Sequence, residues 1–220
     1  MSTKYCFITG TDTDSGKTYV VSQLLKAFCR QEVNTIALKP LASGCMMQNG
    51  VLISPDANCF QSCYPTELEI SGWKFEEPIA PHLAAQEAGQ CISASAIHQF
   101  CLQSTFQTYD YCLVEGAGGL MVPLNDTQTW IDFITLTQFP VILVVGMQLG
   151  CINHALLTAE VIRKYQLPCL GWIANFLQPT MLRQSENLAT LKKRMPISYL
   201  GDVPYQSDLS SDIVQAILAH

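Results

Sequence analysis

Charge is scarce in this chain of 220 residues: aspartate, glutamate, lysine and arginine together make up 14%, and only 12 positions are Lys or Arg. The 18 acidic positions outnumber them, leaving a net charge of −6, so the chain lacks the basic footprint of a nucleic-acid binder. With 49% hydrophobic residues and so few charges, intrinsic disorder is excluded as well. No apolar run reaches the ~18 residues of a membrane span without a polar or glycine interruption, so no membrane partner is expected. The ten cysteines contain no Cys-x-x-Cys pair, and His82, His98, His154 and His220 follow no ligand spacing, which argues against a zinc or dithiol site. No secretory signal opens the sequence, so a disulfide framework is not expected. The thiols in apolar runs (Cys6, Cys112, Cys169) read as small buried hydrophobes of a cytoplasmic protein.

What is present starts at residue 5. Tyr5-Cys6-Phe7-Ile8-Thr9 reads as a buried strand; Gly10-Thr11-Asp12-Thr13-Asp14-Ser15-Gly16-Lys17-Thr18 follows; then Val20, Val21, Leu24, Leu25 and Phe28 recur at helical spacing. Strand, glycine-bearing loop and helix is the setting in which Gly-Lys-Thr binds a nucleoside triphosphate. Successive backbone N–H groups of such a loop form an anion-binding hollow, and the helix behind it adds its free N–H groups and positive dipole end. Lys17 would reach the outer phosphates and Thr18 would ligate Mg²⁺. The spacing departs from the usual pattern: five residues, not four, separate Gly10 from Gly16, and Thr11 stands where the first glycine belongs.

Apolar runs at Thr35–Lys39, Tyr111–Glu115, Val141–Val145, Cys169–Ala174 and Ile197–Leu200 predict further strands. Helices are predicted at Tyr19–Gln31, Ala94–Gln103, His154–Tyr165, Met181–Arg194 and Asp212–Ala219. Between Tyr5 and Val145 the runs are apolar throughout, as parallel strands covered on both faces should be. The βα alternation predicts an α/β fold: a doubly wound, mostly parallel sheet in a three-layer sandwich of the P-loop NTPase type, as a single domain over 1–220. Ligands of open α/β sheets sit outside the carboxyl ends of the strands. Four features fall there: the Gly10–Thr18 loop, Lys39 with Ser43, Glu115–Gly119, and Gly146–Asn153.

Each has a plainer reading beside the chemical one. Glu115, followed by Gly116-Ala117-Gly118-Gly119, is a candidate Mg²⁺ ligand or a strand-end carboxylate on a turn. Asp56 after Ser54-Pro55 would cap a helix over Ala57–Cys63 or, with Thr18 and Glu115, complete a hard-oxygen shell. Lys39 would place a second cation over the transferred phosphoryl group or face solvent; Ser43 offers a hydroxyl beside it. Gly150-Cys151-Ile152-Asn153 is a second helix start with a glycine approach, fit for a carboxylate, or an ordinary start capped by Asn153. Asn175 could face adenine with a donor and an acceptor, with Pro204-Tyr205-Gln206 alongside.

Taken together, Thr9–Thr18, Lys39-Pro40-Leu41-Ala42-Ser43-Gly44, Pro81-His82, Val114–Gly119 and Leu149-Gly150-Cys151-Ile152-Asn153-His154-Ala155 closely resemble the dethiobiotin synthetase family of the biotin pathway, whose own loop has the five-residue spacing. The resemblance runs from Tyr5 to about Tyr205 and implies a homodimeric, Mg²⁺- and ATP-dependent cyclo-ligase. It would make dethiobiotin from 7,8-diaminopelargonic acid and CO₂ through a carbamate and a carbamic–phosphoric anhydride. It further implies that Lys17 and Lys39 are catalytic and that Thr18, Asp56 and Glu115 hold the metal. The implied ATP contacts are Thr13, Asp14, Ser15, Gly16, Lys17, Thr18, Tyr19, Asp56, Glu115, Gly116, Ala117 and Gly118, with Asn175, Pro204, Tyr205 and Gln206 at the base. Thr11 and Ser43 would line the diamine site, and Gly150, Cys151, Ile152 and Asn153 would bind the substrate carboxylate across the dimer. The competing expectation is an ATP-switch protein of the same P-loop branch that acts by binding partners. Such proteins carry an extra lysine early in the loop, where this chain has Thr11 to Thr13.

Overall fold

The computed structural model describes residues 2–219. The chain runs through β1 (Lys4–Gly10), a 3₁₀ turn (Thr13–Ser15), α1 (Lys17–Cys29), β2 (Thr35–Leu38), β3 (Leu41–Ala42), β4 (Met46–Gln48), β5 (Val51–Ile53), α2 (Pro55–Cys63), β6 (Trp73–Lys74), α3 (Pro81–Glu87) and α4 (Ala94–Cys101). It continues with β7 (Tyr111–Glu115), α5 (Trp130–Thr137), β8 (Val141–Met147), α6 (Cys151–Lys164), β9 (Cys169–Phe176), α7 (Gln184–Arg194), β10 (Tyr199–Val203) and α8 (Ser211–Leu218).

Six strands form one sheet in the order β10-β9-β8-β1-β7-β2, every pair parallel. The central strands β7 and β8 are buried at every position, which is why they read as unbroken apolar runs. Helices cover both faces: α1 packs with α2 and α8, α4 with α5, and α6 with α7. Right-handed crossovers account for the division, since α1 leads from β1 toward one edge of the sheet while α5, α6 and α7 lead toward the other. An aromatic cluster of Phe7, Trp130 and Phe133 (centroids 5.2 and 5.4 Å from Phe7) fills the space between β1 and α5. This is the doubly wound α/β architecture.

Several local details differ from the sequence expectation. The last strand is Tyr199–Val203 rather than Ile197–Leu200; an edge strand needs only partial cover, so it admits Asp202. Ser54, not Asp56, caps α2, accepting from the Ala57 N–H at 3.2 Å, while the Asp56 side chain turns to Thr18 and Lys39. Gly150, not Asn153, sits at the start of α6. Helix α5 was not foreseen, although Thr129 and Asp132 form a reciprocal capping box at its start. His220 lies outside the described residues.

Candidate active site

The loop after β1 is held from behind. Thr11 N–H donates to the Val144 carbonyl of β8 at 3.0 Å, and Asp12 accepts from the Thr13 N–H at 2.7 Å. Asn175, at the carboxyl end of β9, donates its Nδ2–H to the Ser15 carbonyl at 3.0 Å. Gly16 adopts φ +82°, and a Cβ there would collide with Asn175 Nδ2. At Gly10 a Cβ would collide with Ser15 Oγ, so the glycine is required in spite of its unusual spacing. Lys17, 3% exposed, folds over the loop and donates to the carbonyls of Asp12 (2.9 Å) and Thr13 (3.2 Å). Burial first, and the Lys39 charge second, lower its pKa to about 8.

Beside it, four residues from four separate segments converge. Pairing of Leu38 with Val114 brings Lys39, one residue past β2, next to Glu115 at the end of β7. Lys39 Nζ lies 2.5 Å from Glu115 Oε1 and 2.7 Å from Asp56 Oδ2, and donates to the Gly116 carbonyl at 3.3 Å. Thr18 Oγ1 is 2.9 Å from Glu115 Oε1 and 3.1 Å from Asp56 Oδ1. Burial pushes the Glu115 carboxyl above the usual carboxylate range against the pull of Lys39. Burial alone would raise Asp56 and lower Lys39, but their mutual attraction, with Glu115 acting on Lys39, outweighs it. Asp56 is held low and the Lys39 ammonium high.

The donor set fits a hard divalent cation. One hydroxyl proton cannot serve two carboxylates, so one of the two Thr18 oxygen–oxygen contacts has no hydrogen between its partners. Glu115 is 0% exposed and its Oε2 has no partner among the described residues. Two carboxylates and a hydroxyl are what Mg²⁺ takes from protein when phosphates and water complete its shell.

These residues open onto a cleft of about 680 Å³, lined on its polar side by Thr13, Asp14, Gly16, Lys17, Thr18, Lys39, Ser43, Asp56 and Glu115, with Ala117 and Gly118. The sequence-predicted loop, metal and lysine residues thus meet in one place, with Ser43. Gly116 contributes its carbonyl to Lys39 from behind the wall. Thr11 is not among the cleft-lining residues. The residues predicted around adenine form a second group: Val203 pairs with Asn175, which carries Pro204, Tyr205 and Gln206 past the end of β10, and Tyr19 donates its hydroxyl to Ser207 O at 2.9 Å. Pro204–Gln206 are exposed, whereas Asn175 is 2% exposed with Oδ1 unpartnered. Gly150, Cys151, Ile152 and Asn153 form the first turn of α6, away from the cleft lining; Leu149 beside them is 97% exposed.

Sequence reasoning missed the apolar wall of the cleft, formed by Leu41, Pro78, Ile79, Ala80, Pro81 and Val122. It also missed Trp130, fully buried, whose Nε1–H donates to the Ala117 carbonyl at 2.9 Å and steadies the glycine turn after β7. The capping box before Trp130 was the available signal.

A parallel sheet with a glycine loop, a buried lysine and an acidic strand end at its carboxyl edge defines a P-loop nucleotide-binding α/β protein. Comparison with known proteins agrees: a family model described as an AAA domain matches residues 4–212. The septum site-determining protein MinD of Pyrococcus horikoshii OT3, solved with Mg-ADP, superposes with a TM-score of 0.56 over 97% of this chain and 86% of its own at 17% identity, a likeness of fold alone. Sequence relatives are more specific. The ATP-dependent dethiobiotin synthetase BioD of Legionella pneumophila (strain Paris) is 45% identical over 208 residues, covering 94% of this chain and 96% of its own. The protein of the same name from Cellvibrio japonicus (strain Ueda107) is 46% identical over 221 residues, covering 99% and 96%. The chain belongs to the dethiobiotin synthetase family of ATP-dependent ligases.

Proposed function

We propose that this chain closes the ureido ring of dethiobiotin from 7,8-diaminopelargonic acid, CO₂ and ATP with the help of Mg²⁺, releasing ADP and phosphate. The observation that carries the reading is the meeting of Lys17, Thr18, Lys39, Asp56 and Glu115 at one cleft wall with Ser43 beside them. In the sequence of bond changes, one substrate amine attacks CO₂ and loses a proton, giving a carbamate. A carbamate oxygen then takes the γ-phosphoryl group as ADP leaves, and the second amine attacks the carbamoyl carbon and expels phosphate.

No side chain needs to form a covalent bond in this scheme. The work is positioning and charge stabilisation. The N–H groups from Thr13 to Thr18 surround the triphosphate, Lys17 meets its outer phosphates, and Lys39 balances charge on carbamate and phosphoryl oxygens. Thr18, Asp56 and Glu115 would hold Mg²⁺, which when bound supplies positive charge for the phosphates. Ser43 faces the diamine, and the apolar wall from Pro78 to Pro81 suits an aliphatic chain. Asn175, Pro204, Tyr205, Gln206 and Tyr19 take the base, and Thr11 stands at the diamine end of the loop.

The reading includes a homodimer in the cytoplasm, with the Gly150–Asn153 turn of a second copy binding the substrate carboxylate. The exposed Leu149 and the exposed Leu157 of the same helix support burial of that face. Incubation with diaminopelargonate, bicarbonate, Mg²⁺ and ATP should yield dethiobiotin by mass. ATP binding with no dethiobiotin formed would overturn the proposal.

A further inference from the structure

An ammonium group has three N–H bonds. The Lys39 ammonium is directed into the site: it donates to Glu115 Oε1 at 2.5 Å and to the Gly116 carbonyl at 3.3 Å, and it forms an ion pair with Asp56 Oδ2 at 2.7 Å. Its charge is already matched by two carboxylates. Two of its three partners are the carboxylates that would hold the metal. Lys39 and a divalent cation therefore compete for the same oxygens, and a cation that takes them releases the ammonium toward substrate. We propose that Lys39 is the resident counterion of the metal site, holding Asp56 and Glu115 in place without metal, and that it yields them to the entering cation and turns its ammonium into the cleft. One event then both fills the metal site and arms the lysine.

Burial makes such a counterion necessary. Glu115 is fully buried and Asp56 shares Thr18 Oγ1 with it, so without a cation two carboxylates would face each other where desolvation makes an unpaired charge costly. The two side chains of the Lys39–Glu115 pair are 6% and 0% exposed, which shields their attraction from salt and water. Lys39 also lines the cleft, and its four-carbon stem can reorient without backbone movement. Lys17 differs in kind: its partners are the loop carbonyls of Asp12 and Thr13, so it can meet phosphate while the metal ligands stay untouched.

The inference rests on Thr18, Asp56 and Glu115 being the metal ligands, and its test separates the two ideas. Mn²⁺ is titrated into the full chain without nucleotide, and the free ion is followed by its paramagnetic resonance signal. Removing the competing charge in Lys39→Met should tighten Mn²⁺ binding at least about tenfold relative to the unaltered protein. The melting point of Lys39→Met should lie below that of the unaltered chain in chelator and rise further than it on adding Mg²⁺. Equal or weaker Mn²⁺ binding by Lys39→Met, with Glu115→Gln still weakening it, overturns the counterion role and leaves the ligands standing. Binding indifferent to Glu115→Gln overturns the ligands and the counterion together. Should Lys39→Met not fold, acylation of Lys39 in the unaltered chain, read by peptide mass with and without Mg²⁺, decides the matter: labelling should rise with Mg²⁺, and equal labelling overturns the proposal.

Discussion

Lys39 and Glu115 stand on neighbouring parallel strand ends, and the register that pairs Leu38 with Val114 sets their charged groups 2.5 Å apart, with both side chains buried at the cleft wall. A buried pair of this kind is worth little against an apolar substitute but much against the loss of one partner. Glu115→Gln leaves Lys39 with Asp56 as its one charged partner and should lower stability by up to about 3 kcal/mol, as judged by urea unfolding. The same variant should need more Mg²⁺ for half-maximal turnover. An unchanged unfolding midpoint and an unchanged metal titration would remove Glu115 from both roles.

The depressed pKa of Lys17, about 8, has a direct consequence for phosphate binding. Below that pH the ammonium is already charged and receives the phosphates as it stands. Above it the free protein holds a neutral amine while the phosphate complex holds a charged one, so binding takes up a proton. Affinity for inorganic tripolyphosphate, measured without metal, should therefore fall by up to about tenfold per pH unit above pH 8. Lys17→Ala should abolish the slope. A flat profile in the unaltered protein would mean that Lys17 does not meet the phosphates as a cation.

Asn175 braces the phosphate loop through Ser15 O, whatever it does for the base. Asn175→Ala should therefore weaken ADP and tripolyphosphate alike, by roughly fivefold for one lost hydrogen bond of about 1 kcal/mol. Competition titrations with the two ligands decide it. A loss confined to ADP would assign the side chain to adenine and not to the loop.

If the proposed dimer shares its sites, chains carrying Lys17→Ala, themselves slowed about 10²–10³-fold, should regain part of their turnover when paired with chains carrying Asn153→Ala. Each mixed dimer would contain one site with both residues intact. Tagged heterodimers, isolated and assayed for dethiobiotin, provide the measurement; no recovery would place the carboxylate site within a single chain.

The repeating parts were legible in the chain. Tyr5–Thr9, Tyr111–Glu115 and Val141–Val145 showed as strands because a parallel strand covered on both faces must be apolar at every position. The loop showed because Gly10, Gly16, Lys17 and Thr18 answer to local backbone geometry. Pro78–Pro81 and Leu41 did not show as a cleft wall, since an apolar residue facing a ligand looks like any core residue in sequence. The capping of α2 was misplaced by two residues because Ser54 and Asp56 are both good caps, and only the Ser54 bond to Ala57 N–H at 3.2 Å tells them apart.

Taken alone, the sequence determined the strand–loop–helix unit, the parallel character of the sheet and the identity of the charged residues at its carboxyl edge, because local backbone geometry and the apolar runs of doubly covered strands leave their mark in the order of residues. Tertiary structure alone decided what those charges do to one another. Thr18, Lys39, Asp56 and Glu115 come from four segments, and which N–H meets which oxygen depends on strand register and on the depth of burial. The pairing of charges at a site is a property of three-dimensional packing, and no spacing in the sequence encodes that Lys39 lies against both Asp56 and Glu115.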